Sequence, residues 1–171
     1  SIEMLKKMQL NEKIDDIEKE LNQLSKEQEA LKEKVQEEKI SDKKASEKQE
    51  EINKKFDQLK EDMKEMEKLN ESLTDPMKLG DNEEDKKSIS EELKDAKENL
   101  DKGSDKKAAG NQQKAANKME NLAKELDQKQ EASNKEDQGE DMNKTRALLE
   151  NLMSISFRQE DILLEFGKVS L

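Results

Sequence analysis

The chain contains no cysteine, histidine, tryptophan or tyrosine, one proline, five glycines and three phenylalanines in 171 residues. Without cysteine there is no disulfide, no thiolate metal ligand and no thiol nucleophile. Lack of histidine removes the commonest general base and transition-metal ligand. No apolar run approaches the roughly 18 residues of a membrane span, and no stretch of the sequence reads as a signal peptide. Leu, Ile, Val and Phe make only 32 of the 171 residues, against 45% charged residues. That is a composition in which disorder is the default expectation.

The spacing of those few hydrophobes overrules the composition. Leu10, Ile17, Leu24, Leu31, Ala45, Ile52, Leu59, Met66 and Leu73 stand seven residues or a multiple of seven apart. Ile14, Leu21, Val35, Phe56 and Met63 follow the first set by four. Alternating steps of three and four keep successive side chains on one stripe of a helix, which needs only two apolar residues in seven to bury a seam. The expected class is all-α: elongated antiparallel helical hairpins or coiled coil, with a more hydrophobic C-terminal helix. Stripes on separate segments argue against one thick core.

The seam turns polar at Glu38, Asp42 and Gln49, and residues 41–46 are rich in turn and cap formers, with Ser46 and Gln49 spaced as a capping box. Two architectures follow. A continuous helix would run about 95 Å from Leu10 to Leu73 at 1.5 Å per residue. Alternatively, the chain folds back near 39–46, making 1–74 one hairpin; this is preferred because a monomer then satisfies its own seam.

Asp75-Pro76 and Gly80 put a loop over 75–88. Residues 89–132 predict a second helical pair, broken at Gly103, with Ala108, Gln112, Ala115, Met119, Leu122 and Leu126 on one face and Gly110 as a candidate kink. Residues 133–140 predict a polar linker, and 141–171 a hydrophobic final helix. Its apolar arc is too wide for a two-helix seam, so it should be buried in a local bundle or against another chain.

Chemistry finds little support. Asp81 to Glu92 has the length of a calcium loop, but Lys86 stands where the loop requires glycine. The acids there suit a helix N-terminus. Carboxylates abound, yet none sits in an apolar context that would raise its pKa, Glu160-Asp161 being the nearest exception and more simply a solvent-facing strip. Neither an enzyme nor a cofactor or metal site is expected. The net charge of −11 opposes binding to nucleic acid or an anionic membrane surface. Gln28, Gln49, Asn70 and Gln159 fall on seam positions, where they either fix register or are tolerated at a leaky seam.

What remains is protein contact, with either a partner or a second copy. The candidate surface is the last helix, with Leu148, Leu152, Phe157, Ile162 and Phe166 as anchors. A second reading is a chaperone-like or regulatory module offering Met63, Met66, Met119 and Met153 to client helices.

Two stretches carry a family resemblance: Lys48-Gln49-Glu50-Glu51-Ile52-Asn53-Lys54-Lys55-Phe56 running on to Leu73 and Pro76, and Leu148-Leu149-Glu150-Asn151-Leu152-Met153-Ser154-Ile155-Ser156-Phe157-Arg158-Gln159-Glu160. The chain resembles the coiled-coil region of large uncharacterised Bacteroidota proteins with hydrophobic segments near their N-terminus. The resemblance implies a membrane-anchored envelope protein whose helical part projects from the inner membrane on the periplasmic side; it implies no activity. The absence of an initiator Met before Ser1 fits a piece of such a longer protein.

Overall fold

A computed structural model describes residues 2–169, with the side chains of 161 and 163–169 outside the described set. Four helices account for most of it: α1 (Ile2–Gln36), α2 (Asp42–Glu71), α3 (Glu83–Asp101) and α4 (Asp105–Val169), and no strand occurs among the described residues. The chain divides into two compact units, Ser1–Gln130 and Glu131–Leu171.

In the first unit the heptad ladder forms a hairpin. Lys13 Nζ meets Glu65 Oε2 at 2.8 Å and Lys55 Nζ meets Glu27 Oε2 at 2.7 Å, so numbers rising along α1 pair with numbers falling along α2. The reversal lies at 37–41. Glu38 adopts a left-handed conformation (φ 54°), its N–H bonding Val35 O at 3.2 Å while the Lys39 N–H bonds Lys34 O at 2.9 Å. This is a Schellman stop, usually signalled by glycine; here glutamate fills the left-handed position. The expected turn over 39–46 therefore ends too late. Ser41 is the N-cap of α2, without a side-chain cap bond, whereas Ser46 lies inside the helix with its hydroxyl on Asp101. The capping box expected at Ser46 and Gln49 does not form.

The next break falls where Pro76 puts it. The Asn70 carboxamide clamps the loop, donating to Met77 O at 2.9 Å and accepting from Met77 N at 2.8 Å, while Leu73, Met77 and Leu79 plug the bundle end. α3 starts at Glu83 rather than 89, with Glu83, Glu84 and Asp85 in its first turn, where the helix dipole favours negative charge. Gly103 (φ 63°) ends it in the same manner as Glu38 ends α1, with the Ser104 N–H bonding Asn99 O at 2.7 Å.

The two hairpins do not stay separate. Asn53 Nδ2 donates to Leu93 O across α2 and α3 (3.2 Å), and Asn99 Nδ2 donates to Asn111 Oδ1 across α3 and α4 (3.0 Å). The Ser25 hydroxyl donates to Ala116 O across α1 and α4 (2.9 Å). Each contact joins antiparallel neighbours, and α4 returns to α1, closing an up-down-up-down four-helix bundle. Every residue of the ladder between Leu10 and Leu73 is buried in it. One continuous core runs through all four helices and replaces the isolated seams expected from the stripes. Ala108, Ala109, Ala115, Ala116 and Ala123 line the buried side of α4 and let α1 approach closely enough for Ser25 to reach its backbone.

α4 runs on through 133–140, so the expected polar linker is helix. Nothing in that stretch breaks a helix outright: it has no proline, and Glu131–Lys135 and Glu140–Lys144 pair at i,i+4. Gly139 and Gly110 are absorbed into the helix at up to about 1 kcal/mol each relative to alanine.

Candidate interaction surface

The bundle exposes large hydrophobes only at the start of α1 (Ile2, Met4, Leu5 and Met8), whereas the second unit exposes all of its described ones. In the bundle the seam hydrophobes are buried and even the polar seam positions find partners. Gln28 and Gln49, both fully buried, form a reciprocal amide pair at 2.9 and 2.7 Å. Gln49 also donates to Asn53 Oδ1 at 3.0 Å and accepts from Gln112 Nε2 at 3.0 Å. Three helices thus meet at one amide cluster in the middle of the core. A one-heptad slip would bury these amides against hydrocarbon, so they fix register. Gln112 Oε1 is the one amide atom of the three residues without a partner.

Charged groups in the bundle are paired in the same spirit. The Lys86 side chain is 4% exposed and bonds Glu67 Oε1 at 2.9 Å and also Glu83. Burial pulls its ammonium pKa down, but the hydrogen bonds and charges of Glu83 and Glu67 outweigh that and hold it above the ordinary lysine value. Glu92 occupies the twelfth position of the calcium-like spacing, yet it turns to α4, accepting from Asn111 Nδ2 (2.8 Å) and Lys118 Nζ (3.2 Å). Burial pushes its carboxyl pKa up, while Asn111, Lys118 and Lys114 together bring it below the usual value. Glu18 shows the reverse. Its carboxyl is pushed up by burial and by Asp127 and Asp15, with Lys19 opposing weakly.

In the second unit, Leu148 (62% exposed), Leu152, Phe157 and Ile162 are all more than half exposed, and Phe166 lies outside the described side chains. The helix was expected to be buried on several sides; within this chain none of its described large hydrophobes, Met142 included, is covered.

Helical geometry also sorts the candidates. Thr145, Leu148, Leu152, Ile155, Gln159 and Ile162 alternate at three and four residues and share an arc of about 100°. Leu149 and Met153 widen that arc on one side. Phe157 does not belong to it, since it falls on the opposite side of the helix. Ile155, left out of the expected anchors, sits at the centre of the stripe; its spacing of seven from Leu148 and Ile162 is the signal that would have found it.

Composition marks the same stretch. The chain's two arginines, Arg146 and Arg158, both lie here, and every other basic residue is lysine. Arginine, methionine and aromatic residues are enriched at protein interfaces and lysine is depleted, because a planar guanidinium loses less on desolvation than an ammonium. No described helix is long and apolar enough to cross a membrane.

The fold is an all-α bundle, and among the described residues its last helix carries an apolar face that this chain leaves exposed. No protein-family model, curated protein or solved structure matches the chain.

Proposed function

We propose that the chain is a non-enzymatic scaffolding segment of a cell-envelope protein, and that it mediates protein contacts through the apolar face over 142–162. The observation that carries the reading is the run of Leu148, Leu152, Ile155 and Ile162, each more than half exposed, on a chain that elsewhere buries its seam hydrophobes. Exposed apolar patches beyond a few hundred Å² mark contact surfaces. Covering this one releases about 25 cal/mol per Å². The envelope location, on the periplasmic side of an anchored parent, rests on the resemblance to the Bacteroidota coiled-coil proteins. The chaperone-like reading loses its grooves: Met63, Met66 and Met119 are fully buried in the core, leaving Met153 alone of its four methionines.

The test is photo-cross-linking in the parent protein in its own membrane. A photoreactive side chain at position 152 is expected to capture a protein, while one at the solvent-facing Lys94, 76% exposed on the bundle, captures none. Equal and low capture at both positions refutes the reading.

A further inference from the structure

Resting on that docking reading, we infer that the face over 142–162 pairs with the same segment of a second copy of this chain, running antiparallel. Thr145, Leu148, Leu152, Ile155, Gln159 and Ile162 have the spacing of a seam that accepts one partner helix. Six of the exposed hydrophobes, Met142, Leu148, Leu149, Leu152, Ile155 and Ile162, lie on or beside it. At about 100 Å² per side chain they offer on the order of 600 Å² of apolar area per copy, close to the ~800 Å² per partner of a standard stable interface once a polar rim is added.

Three features choose the direction. First, the two flanks of the seam differ: Met142 and Leu149 stand on one side, Lys144, Asn151 and Arg158 on the other. An antiparallel pair sets each flank on its own kind, with Leu149 facing Ser156 and Arg158 facing Asn151 of the second copy, so no basic side chain is laid on a leucine. A parallel pair sets each basic flank against the other copy's leucines. Second, residues 131–141 hold Glu131, Glu136, Asp137, Glu140 and Asp141 against Lys135 alone. Parallel pairing would run these acidic stretches side by side, whereas antiparallel pairing sends them to opposite ends. Third, leucine at the first seam position (Leu152) with isoleucine at the second (Ile155, Ile162) works against a two-stranded parallel coil.

In the resulting register, Leu152 packs on Ile155 of the second copy at the centre, flanked by Leu148 on Gln159 and Thr145 on Ile162. Phe157 stays outside. The interface is isologous, so it closes at two chains.

The native absence of cysteine makes the direction directly measurable in the full 171-residue chain. Sedimentation equilibrium is expected to give twice the 19.8 kDa chain mass. Leu152→Asp with Ile155→Asp should return the chain to monomer with the helical signal of the bundle retained, and Phe157→Asp should leave the dimer intact. Mixed Leu152→Cys and Ile155→Cys chains are expected to oxidise to a covalent dimer roughly tenfold faster than either alone, because only the mixed pair brings Cα atoms within disulfide reach. Self-pairing is overturned by a monomer at all concentrations up to about 100 μM, or by capture at position 152 of a different protein and never of a second copy. The latter result leaves the docking reading standing, whereas no capture of any kind removes both. Fastest oxidation of Leu152→Cys with itself overturns the antiparallel direction.

Discussion

Replacing Gln49 with leucine should cost the bundle far more than replacing Gln112, although both are fully buried amides in one cluster. Gln49 uses all of its hydrogen-bonding capacity: its amide nitrogen donates to Gln28 and Asn53, and its oxygen accepts from Gln28 and Gln112. Leucine of similar volume leaves no large cavity but strands both ends of the Gln28 amide and the Gln112 nitrogen. Each buried orphan costs about 1–3 kcal/mol, so a loss of about 4 kcal/mol is expected. Gln112→Leu removes an oxygen that has no partner and one donor to an acceptor that keeps Gln28. Its expected effect is within about 0.5 kcal/mol of neutral. Changing Gln28, Gln49 and Gln112 together to leucine removes all three buried amides at once, leaves only the half-buried Asn53 Oδ1 without its donor, and should recover most of the Gln49→Leu loss. Urea unfolding followed by circular dichroism at 222 nm reads this directly. With a slope of about 2 kcal/mol per molar urea, Gln49→Leu should lower the midpoint by about 2 M. A shift under about 0.5 M, or a triple variant as unstable as Gln49→Leu, would refute the view that the amides act as one network.

Glycine and charge offer two further checks by the same assay. Gly110→Ala meets nothing within 4 Å and lies in helix, so it should stabilise by up to about 1 kcal/mol; Gly103→Ala, at φ +63°, should destabilise by about 1–2 kcal/mol. Glu92 and Glu18 should respond to pH with opposite sign. The depressed Glu92 pKa contributes stability above the ordinary carboxylate range, lost as pH falls through its folded value, so Glu92→Gln is expected to destabilise at pH 7 and to become neutral in acid. The raised Glu18 pKa makes its ionised form a cost at neutral pH that fades as pH falls through that raised value, so Glu18→Gln should stabilise at pH 7 and do nothing in acid.

Much of the bundle is legible in the sequence because heptad periodicity is a local property. The ladder names the buried residues of α1 and α2 correctly, and Pro76 and Gly103 mark real helix ends. Elsewhere the local signal is missing or misleading. Glu38 stops α1 without a glycine, while the more turn-like serines lie downstream of the true reversal. Polar residues 133–140 look like a linker, yet a charged helix with i,i+4 pairs needs no apolar face to persist once its neighbours are helical. On the surface over 142–162, hydrophobicity and exposure do not distinguish Phe157 from Ile155; helical phase alone puts Ile155 on the stripe and Phe157 across the helix from it.

By itself the sequence determined that the chain is helical, which residues of the first two helices turn inward, and that a second apolar stretch follows near the other end of the chain. Those facts follow from periodicity and composition, which act within a few turns of one helix. Tertiary structure decided that both hairpins share one core, that Gln28, Gln49 and Gln112 meet there, and that Glu92 faces lysine and asparagine rather than a calcium-like loop. These depend on which helices become neighbours, and residues as far apart in the chain as Ser25 and Ala116 become neighbours only when the bundle closes.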